Sequence, residues 1–93
     1  MFLAYQAINA GVVEQTVAAL TIPQGTQRAQ LQASVQNIRF TLDGSPTDPV
    51  HGMVLLVGND PVWVEREDLA NIRFISANAA APAQLDIQYY TTG

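Results

Sequence analysis

Two stretches of the chain alternate between apolar and polar residues, and this alternation constrains the fold more than any other feature. From Arg28 to Ser34 and from Leu85 to Tyr89, every second residue is apolar. A period of two is that of a β-strand with one buried and one solvated face. The pattern therefore predicts two amphipathic strands, with Tyr90 on the polar face of the second.

The alternation changes phase after the first of these strands. The apolar set that ends at Val35 is followed by a second inward set that begins at Ile38 and includes Phe40 and Leu42. A shift of one residue sends side chains to the opposite face of a strand. The sequence therefore predicts a bulge or bend near Gln36 and Asn37.

Short strand-like segments recur about every ten residues between Gly- and Pro-rich turns. The apolar run from Met53 to Val57 predicts a strand buried on both faces. Residues 12–22 fit either a strand or a helical stripe, and their β-branched content and Pro23 favour a strand. A chain of 93 residues with this spacing predicts a single all-β domain, an antiparallel β-sandwich or small jelly roll of about 6–8 strands.

The N-terminal segment is too apolar for a solvated tail. It contains Phe2, Leu3 and Tyr5, and no turn-forming glycine or proline occurs before Gly11. We expect residues 1–11 to form either the first strand of the sandwich or an arm that reaches a neighbouring subunit. Residues 12–93 form the β-sandwich domain in both interpretations.

Composition excludes several classes of function. The net charge is −4, with four arginines and no lysine, which is unlike the basic face of a nucleic-acid-binding protein. No apolar run approaches the roughly 20 residues that span a bilayer. His51 is the only histidine and cysteine is absent, so neither a catalytic triad nor a thiolate metal site is indicated. We expect no enzymatic activity, no catalytic, metal or cofactor site, and neither a nucleic-acid nor a membrane partner.

Two aromatic residues are candidates for a contact surface. Trp63 alternates with Val62 and Val64, so it lies outside if those valines point inward, and in the core if they do not. Tyr90 shares a face with Asp86 and Gln88. Only 13% of the residues are charged and nine are glutamine. A surface of this kind is desolvated at low cost when it packs against another protein.

Several segments in order resemble small virion proteins of tailed bacteriophages. The resemblance covers residues 35–90 and leaves the lead from Met1 to Thr26 unmatched. It is carried by IRFTLDGSPT at 38–47, GMVLL at 52–56, Gly58, Pro61, Trp63, residues 69–75 and AQLDIQYY at 83–90.

The resemblance implies a non-enzymatic, jelly-roll-like structural protein of the virion, made in the host cytoplasm. A capsid decoration or cement subunit that stabilises the head is the leading hypothesis, and a neck, tail or fibre position stays open. The implied partners are other copies, as a homotrimer or another symmetric oligomer, and the major capsid protein or other virion proteins. From alternation, the candidate contact residues are Phe2, Leu3, Tyr5, Trp63 and Tyr90. The alternative hypothesis is a carbohydrate-binding module that uses Trp63 and Tyr90 with nearby loop acids.

Overall fold

The computed structural model describes residues 1–48 and 51–91. These residues form eight strands, one short helix and one turn of 3-10 helix. The strands are β1 (Phe2–Ala10), β2 (Gln15–Thr16), β3 (Arg28–Ser34), β4 (Ile38–Thr41), β5 (Met53–Leu55), β6 (Val62–Glu65), β7 (Arg73–Ser76) and β8 (Ala83–Tyr90); the 3-10 turn is Val17–Ala19 and the helix α1 is Arg66–Leu69.

Within the described residues the strands form two four-stranded antiparallel sheets. Sheet A has the order β1-β8-β3-β6 and sheet B has the order β2-β7-β4-β5. Four of the strand pairs belong to one long antiparallel ribbon that folds back at the loop between β4 and β5. These pairs are β1–β8, β2–β7, β3–β6 and β4–β5. Winding this ribbon adds the pairs β8–β3 and β7–β4. Such a wound ribbon is a jelly roll, so the predicted all-β sandwich is confirmed.

The core lies between the two sheets and is built by the predicted alternation. Ala29, Leu31 and Ala33 of β3 and the apolar set of β8 face inward, where each is at most 4% exposed. Sheet B contributes Ile38 and Phe40 of β4 and Phe74 of β7 to this core. The largest fully buried side chains include Tyr89, Phe74, Leu31, Ile38, Leu69, Ile72, Leu85 and Ile87.

The predicted bend after β3 is present, and it is the point where the chain passes from sheet A to sheet B. The amide of Gln36 donates to the carbonyl of Ser34 at 2.8 Å, which closes a three-residue turn centred on Val35. Val35 has a φ of 74° and is 72% exposed. The expectation that it faces inward is wrong, because the turn ends the strand one residue earlier.

The prediction that the apolar run from Met53 to Val57 is a strand buried on both faces is wrong. Strand β5 lies at the edge of sheet B, where β4 is its one neighbour among the described strands. Leu55 is buried, whereas Met53 is 67% exposed and the other three residues of the run are about two-fifths exposed. A run of apolar residues does not distinguish a central strand from an edge strand that continues into a turn.

Residues 12–22, where the sequence favours a strand, contain little regular structure. Strand β2 has two residues, and the next three form the 3-10 turn. The turn begins where the Thr16 hydroxyl accepts a hydrogen bond from the amide of Ala18, at 3.4 Å. Leu20 and Ile22 then pack against the core from an irregular segment, so their burial does not require a strand.

The N-terminal segment lies in the sandwich as strand β1, which pairs with β8 along its whole length. Its outer edge is covered near the middle, where Gln6 accepts a hydrogen bond from the amide of Thr21 at 3.0 Å. At the end of the sheet the amide of Thr91 donates to the carbonyl of Met1 at 2.8 Å. None of the helices in the described residues has the length and hydropathy needed to cross a membrane.

Candidate functional site

The solvent-facing side of sheet A brings most of the predicted contact residues together. Because all four strands are paired in register, their outward side chains form rows across the sheet. The first row is Phe2, Tyr90, Arg28 and Glu65, and the second row is Tyr5, Gln88, Gln30 and Trp63.

A β-bulge at Leu3 places Phe2 in this face. In the register of β1 with β8, Phe2 is opposite Tyr90 and Ala4 is opposite Tyr89, so Leu3 is the extra residue. Without the bulge, Phe2 would share the inward face of Ala4. Leu3 itself is partly buried against the core.

Three aromatic rings and one guanidinium form a packed cluster at this end of the sheet, which we call the aromatic corner (Phe2, Arg28, Trp63 and Tyr90). The ring of Tyr90 lies 5.7 Å from that of Phe2 in an edge-on arrangement and 5.1 Å from that of Trp63. The guanidinium carbon of Arg28 lies 4.3 Å from the centroid of the Trp63 ring, a cation–π contact. These contacts hold the four side chains in place before any partner is present.

The aromatic corner is accessible despite this packing. Trp63 is 45% exposed and Phe2 is 49% exposed. Since Val64 is buried, the structure places Trp63 outside the core, which decides the alternative that the sequence left open. Tyr5, on the second row, is 53% exposed.

A shallow depression lies beside the aromatic corner on the same face. Its volume is about 160 Å³, and it is lined by Tyr5, Gln30, Gln32, Asp86 and Gln88. Four of the five lining residues carry carboxamide or carboxylate groups, so the floor of the depression is rich in hydrogen-bonding atoms.

Asp86 is the centre of the hydrogen bonds in this depression. Its carboxylate accepts hydrogen bonds from the Tyr5 hydroxyl and the Gln84 amide, both at 2.7 Å, and from the Ser34 hydroxyl. Burial acts to raise the pKa of Asp86, but the three hydrogen bonds outweigh it and the pKa lies below its usual range. Asp86 is therefore a carboxylate at neutral pH.

The hydrogen bond between Tyr5 and Asp86 also determines the protonation state of Tyr5. The hydrogen bond to Asp86, supported by desolvation and by the negative charge of that carboxylate, raises the pKa of Tyr5. The phenol therefore stays protonated through the physiological range and donates to Asp86. Its oxygen keeps its acceptor capacity toward the depression.

Four of the five candidate contact residues therefore lie on one face, and Leu3 does not join them. Sequence reasoning did not select Arg28, Gln30 or Gln32 as site residues. The alternation of β3 already placed these three side chains on one polar face. The missing information was that β3 pairs with β8, whose polar face carries Asp86.

Other polar groups in the described residues make local structural contacts. Glu14 accepts from Arg73 and from the amide of Thr47, at 2.8 and 2.6 Å. Nδ1 of His51 lies 2.8 Å from a carboxylate oxygen of Asp48. Among the residues that the structure describes, no three His, Cys, Asp or Glu side chains are grouped to hold a metal ion.

Comparisons with known proteins give no relative for this chain. No family model, no curated protein and no solved structure matches it.

Proposed function

We propose that this chain is a non-enzymatic structural protein of a tailed-bacteriophage virion, a capsid decoration subunit that attaches by protein–protein contacts. The observation that carries the proposal is the aromatic corner on the outside of sheet A. The order of sequence segments that resembles small virion proteins supports it, and the jelly roll is a common architecture of viral capsid domains.

The composition of the aromatic corner suits a protein contact. Trp, Tyr and Arg are the residue types that contribute most to binding energy at protein interfaces, and the corner packs all three together. Because the rings and the guanidinium already contact one another, little side-chain freedom is lost when a partner binds. The neighbouring rows contain the neutral carboxamides of Gln30, Gln32 and Gln88, which are desolvated more cheaply than charges.

The partners in this proposal are a virion protein at the aromatic corner and other copies of the chain. The open edge of sheet B supports association between copies. Its strand β5 contains no charged residue and exposes Met53 and Val54. Edge strands that lack protecting charges pair readily with other strands. In this proposal the chain is made in the host cytoplasm and resides in the assembled particle.

Mass spectrometry of purified particles tests the proposal. The particles are those of the virus whose genome encodes the chain, and we expect the chain in high copy relative to minor virion proteins. Its absence from intact particles would show that the proposal is wrong.

A rebinding assay then tests the aromatic corner. Purified chain is added to particles assembled without it, and bound and free protein are separated by sedimentation. We expect Trp63→Ala to weaken attachment by about tenfold or more. Val13→Ala is the matched control, because Val13 is an exposed apolar residue in the connection between β1 and β2, outside the aromatic corner. Equal attachment of the two variants would mean that another surface makes the contact.

A further inference from the structure

The depression beside the aromatic corner is lined by none of the four residues of that corner. It occupies the second and third rows of the outer face of sheet A, where Gln88 is opposite Gln30 and Asp86 is opposite Gln32. The aromatic corner is centred on the first row. A partner confined to the corner therefore leaves the depression open to solvent.

The lining of the depression selects the chemical class of its ligand. The three carboxamides of Gln30, Gln32 and Gln88 each carry both donors and acceptors, and Asp86 supplies a negative acceptor. None of the five lining residues is a cation, so the depression lacks a countercharge for an anionic ligand. Groups that both donate and accept at short spacing match the vicinal hydroxyl groups of a sugar.

The hydrogen bonds already present leave part of this capacity unused. The Gln32 amide donates to the carbonyl of Asn59 at 3.3 Å, and the carbonyl of Gln88 accepts from the Tyr90 hydroxyl at 2.9 Å. The side-chain nitrogen of Gln88 takes no part in that hydrogen bond and can donate to a ligand. Gln30, between these two side chains, is central to the depression and is the register partner of Trp63.

We propose that this depression binds one ring of a neutral saccharide. Its volume of about 160 Å³ is below the roughly 300–1,000 Å³ of pockets for larger organic ligands, which suits a single ring held partly in solvent. The carboxamides and Asp86 bind the hydroxyl groups, and the exposed ring of Tyr5, which lines the depression, contacts the apolar face of the sugar. The sequence suggested carbohydrate binding through Trp63 and Tyr90; the proposal here uses instead the residues that line the depression, four of which carry carboxamide or carboxylate groups.

Nuclear magnetic resonance of the full chain labelled with nitrogen-15 tests this proposal. The probes are glucose, galactose, mannose and their N-acetylated 2-amino derivatives, each added separately. We expect at least one sugar to shift the side-chain amide signals of Gln30, Gln32 and Gln88 along a saturating curve. The expected dissociation constant is on the order of 1 mM, because a single ring makes few contacts.

The variant Gln30→Ala locates the binding. Its matched control is Gln24→Ala, which removes an exposed glutamine from the turn before β3. We expect the first variant to bind about fivefold more weakly and the control to bind like the wild type, while the remaining signals show that both are folded. The proposal is overturned if no sugar shifts these signals, or if Gln30→Ala binds as tightly as its control.

This test is independent of the proposed virion function. It uses the isolated chain, whereas the virion proposal depends on the content of purified particles. A chain absent from particles can still bind a sugar, and a particle protein can fail to do so.

Discussion

The buried hydroxyl of Tyr89 makes the stability of this protein depend on alkaline pH in a way that one substitution should remove. Tyr89 is fully buried, and its hydroxyl donates to the side-chain carbonyl of Gln6 at 2.8 Å. Burial raises the pKa of Tyr89 from 10.0 to about 12. The substitution Tyr89→Phe keeps the ring and removes the titrating group.

At neutral pH this substitution should be mildly destabilising. It removes one hydrogen bond between neutral groups, which contributes about 1 kcal/mol to the free energy of unfolding. The Gln6 carbonyl keeps its hydrogen bond from the amide of Thr21, so it is not left without a donor. We therefore expect a cost near the middle of the usual range.

Above pH 10 the order of stabilities should reverse. Because the pKa of Tyr89 is higher in the folded state, its contribution to stability is complete below pH 10 and is lost as the pH rises toward 12. The loss is steepest near pH 11, at about 1.1 kcal/mol per pH unit, and reaches roughly 2 kcal/mol at pH 12. Tyr89→Phe has no such loss, so the two stability curves should cross slightly below about pH 11.

Urea denaturation followed by far-ultraviolet circular dichroism measures this crossing. Wild type and Tyr89→Phe are compared between neutral pH and the highest pH at which both still unfold reversibly. The chain contains no lysine, so no lysine deprotonates in the range of interest. The raised pKa of Tyr5 affects both proteins alike and does not contribute to the difference between them.

Tyr90→Phe is the matched control. It removes a tyrosine hydroxyl from the outer face of the same strand, where that group donates to Gln88, and it leaves Tyr89 unchanged. This variant should keep the alkaline loss that Tyr89 causes. A constant difference between wild type and Tyr89→Phe across the whole pH range would refute the assignment.

Three further predictions concern individual residues. Gly52→Ala should lower the free energy of unfolding by about 2 kcal/mol, because its Cβ would lie 2.6 Å from the Thr47 hydroxyl oxygen at a φ of +114°. Gly58→Ala, at a φ of +83° with open space around the added Cβ, should lower the free energy of unfolding by less. Equal decreases for the two variants would rule out the clash with Thr47. Val35→Gly should raise the free energy of unfolding by roughly 0.5–1 kcal/mol, since it relieves a positive φ; a lower denaturation midpoint would contradict that strain. The pKa of Asp86 is lowered in the folded state, so this residue contributes stability that is lost as the pH falls through that pKa. Asp86→Asn should remove this part of the acid-induced loss, and an acid denaturation profile identical to that of the wild type would contradict the prediction.

The parts of the fold that sequence predicts well are those with one buried face. The alternation in β3 and β8 fixed which residues enter the core, because a strand on a two-layer sandwich has one dry side. The change of phase after β3 was visible for the same reason. Its cause, a passage between sheets, was not visible, since a bulge within one sheet produces the same sequence pattern.

The apolar run at residues 53–57 and the irregular segment at 12–22 show where such reasoning fails. Hydrophobicity alone does not state whether a strand has one neighbour or two, and β5 has its apolar residues at an open edge. In residues 12–22, single apolar side chains reach the core from a segment without regular periodicity. Both outcomes depend on tertiary packing that no local pattern encodes.

The candidate site depends even more on information absent from any one strand. Phe2 contacts Tyr90 because of a bulge at Leu3, and a leucine at that position does not predict a bulge. Trp63 meets Arg28 and Tyr90 because β6, β3 and β8 are neighbours in the wound ribbon. The sequence supplied the residues of the outer face, and the pairing order of the strands supplied their proximity.

The winding of the ribbon also sets when these surfaces come into existence. The pair β1–β8 joins residues 2 and 90, so it closes the longest loop among the described strand pairs and carries the largest loss of chain entropy. Contacts of such long range form slowly. The aromatic corner and the depression both contain residues of β1 and β8, so neither surface is complete until these two strands pair. A partner that recognises either surface therefore selects molecules in which β1 and β8 are paired, and its binding reports that this pairing has formed.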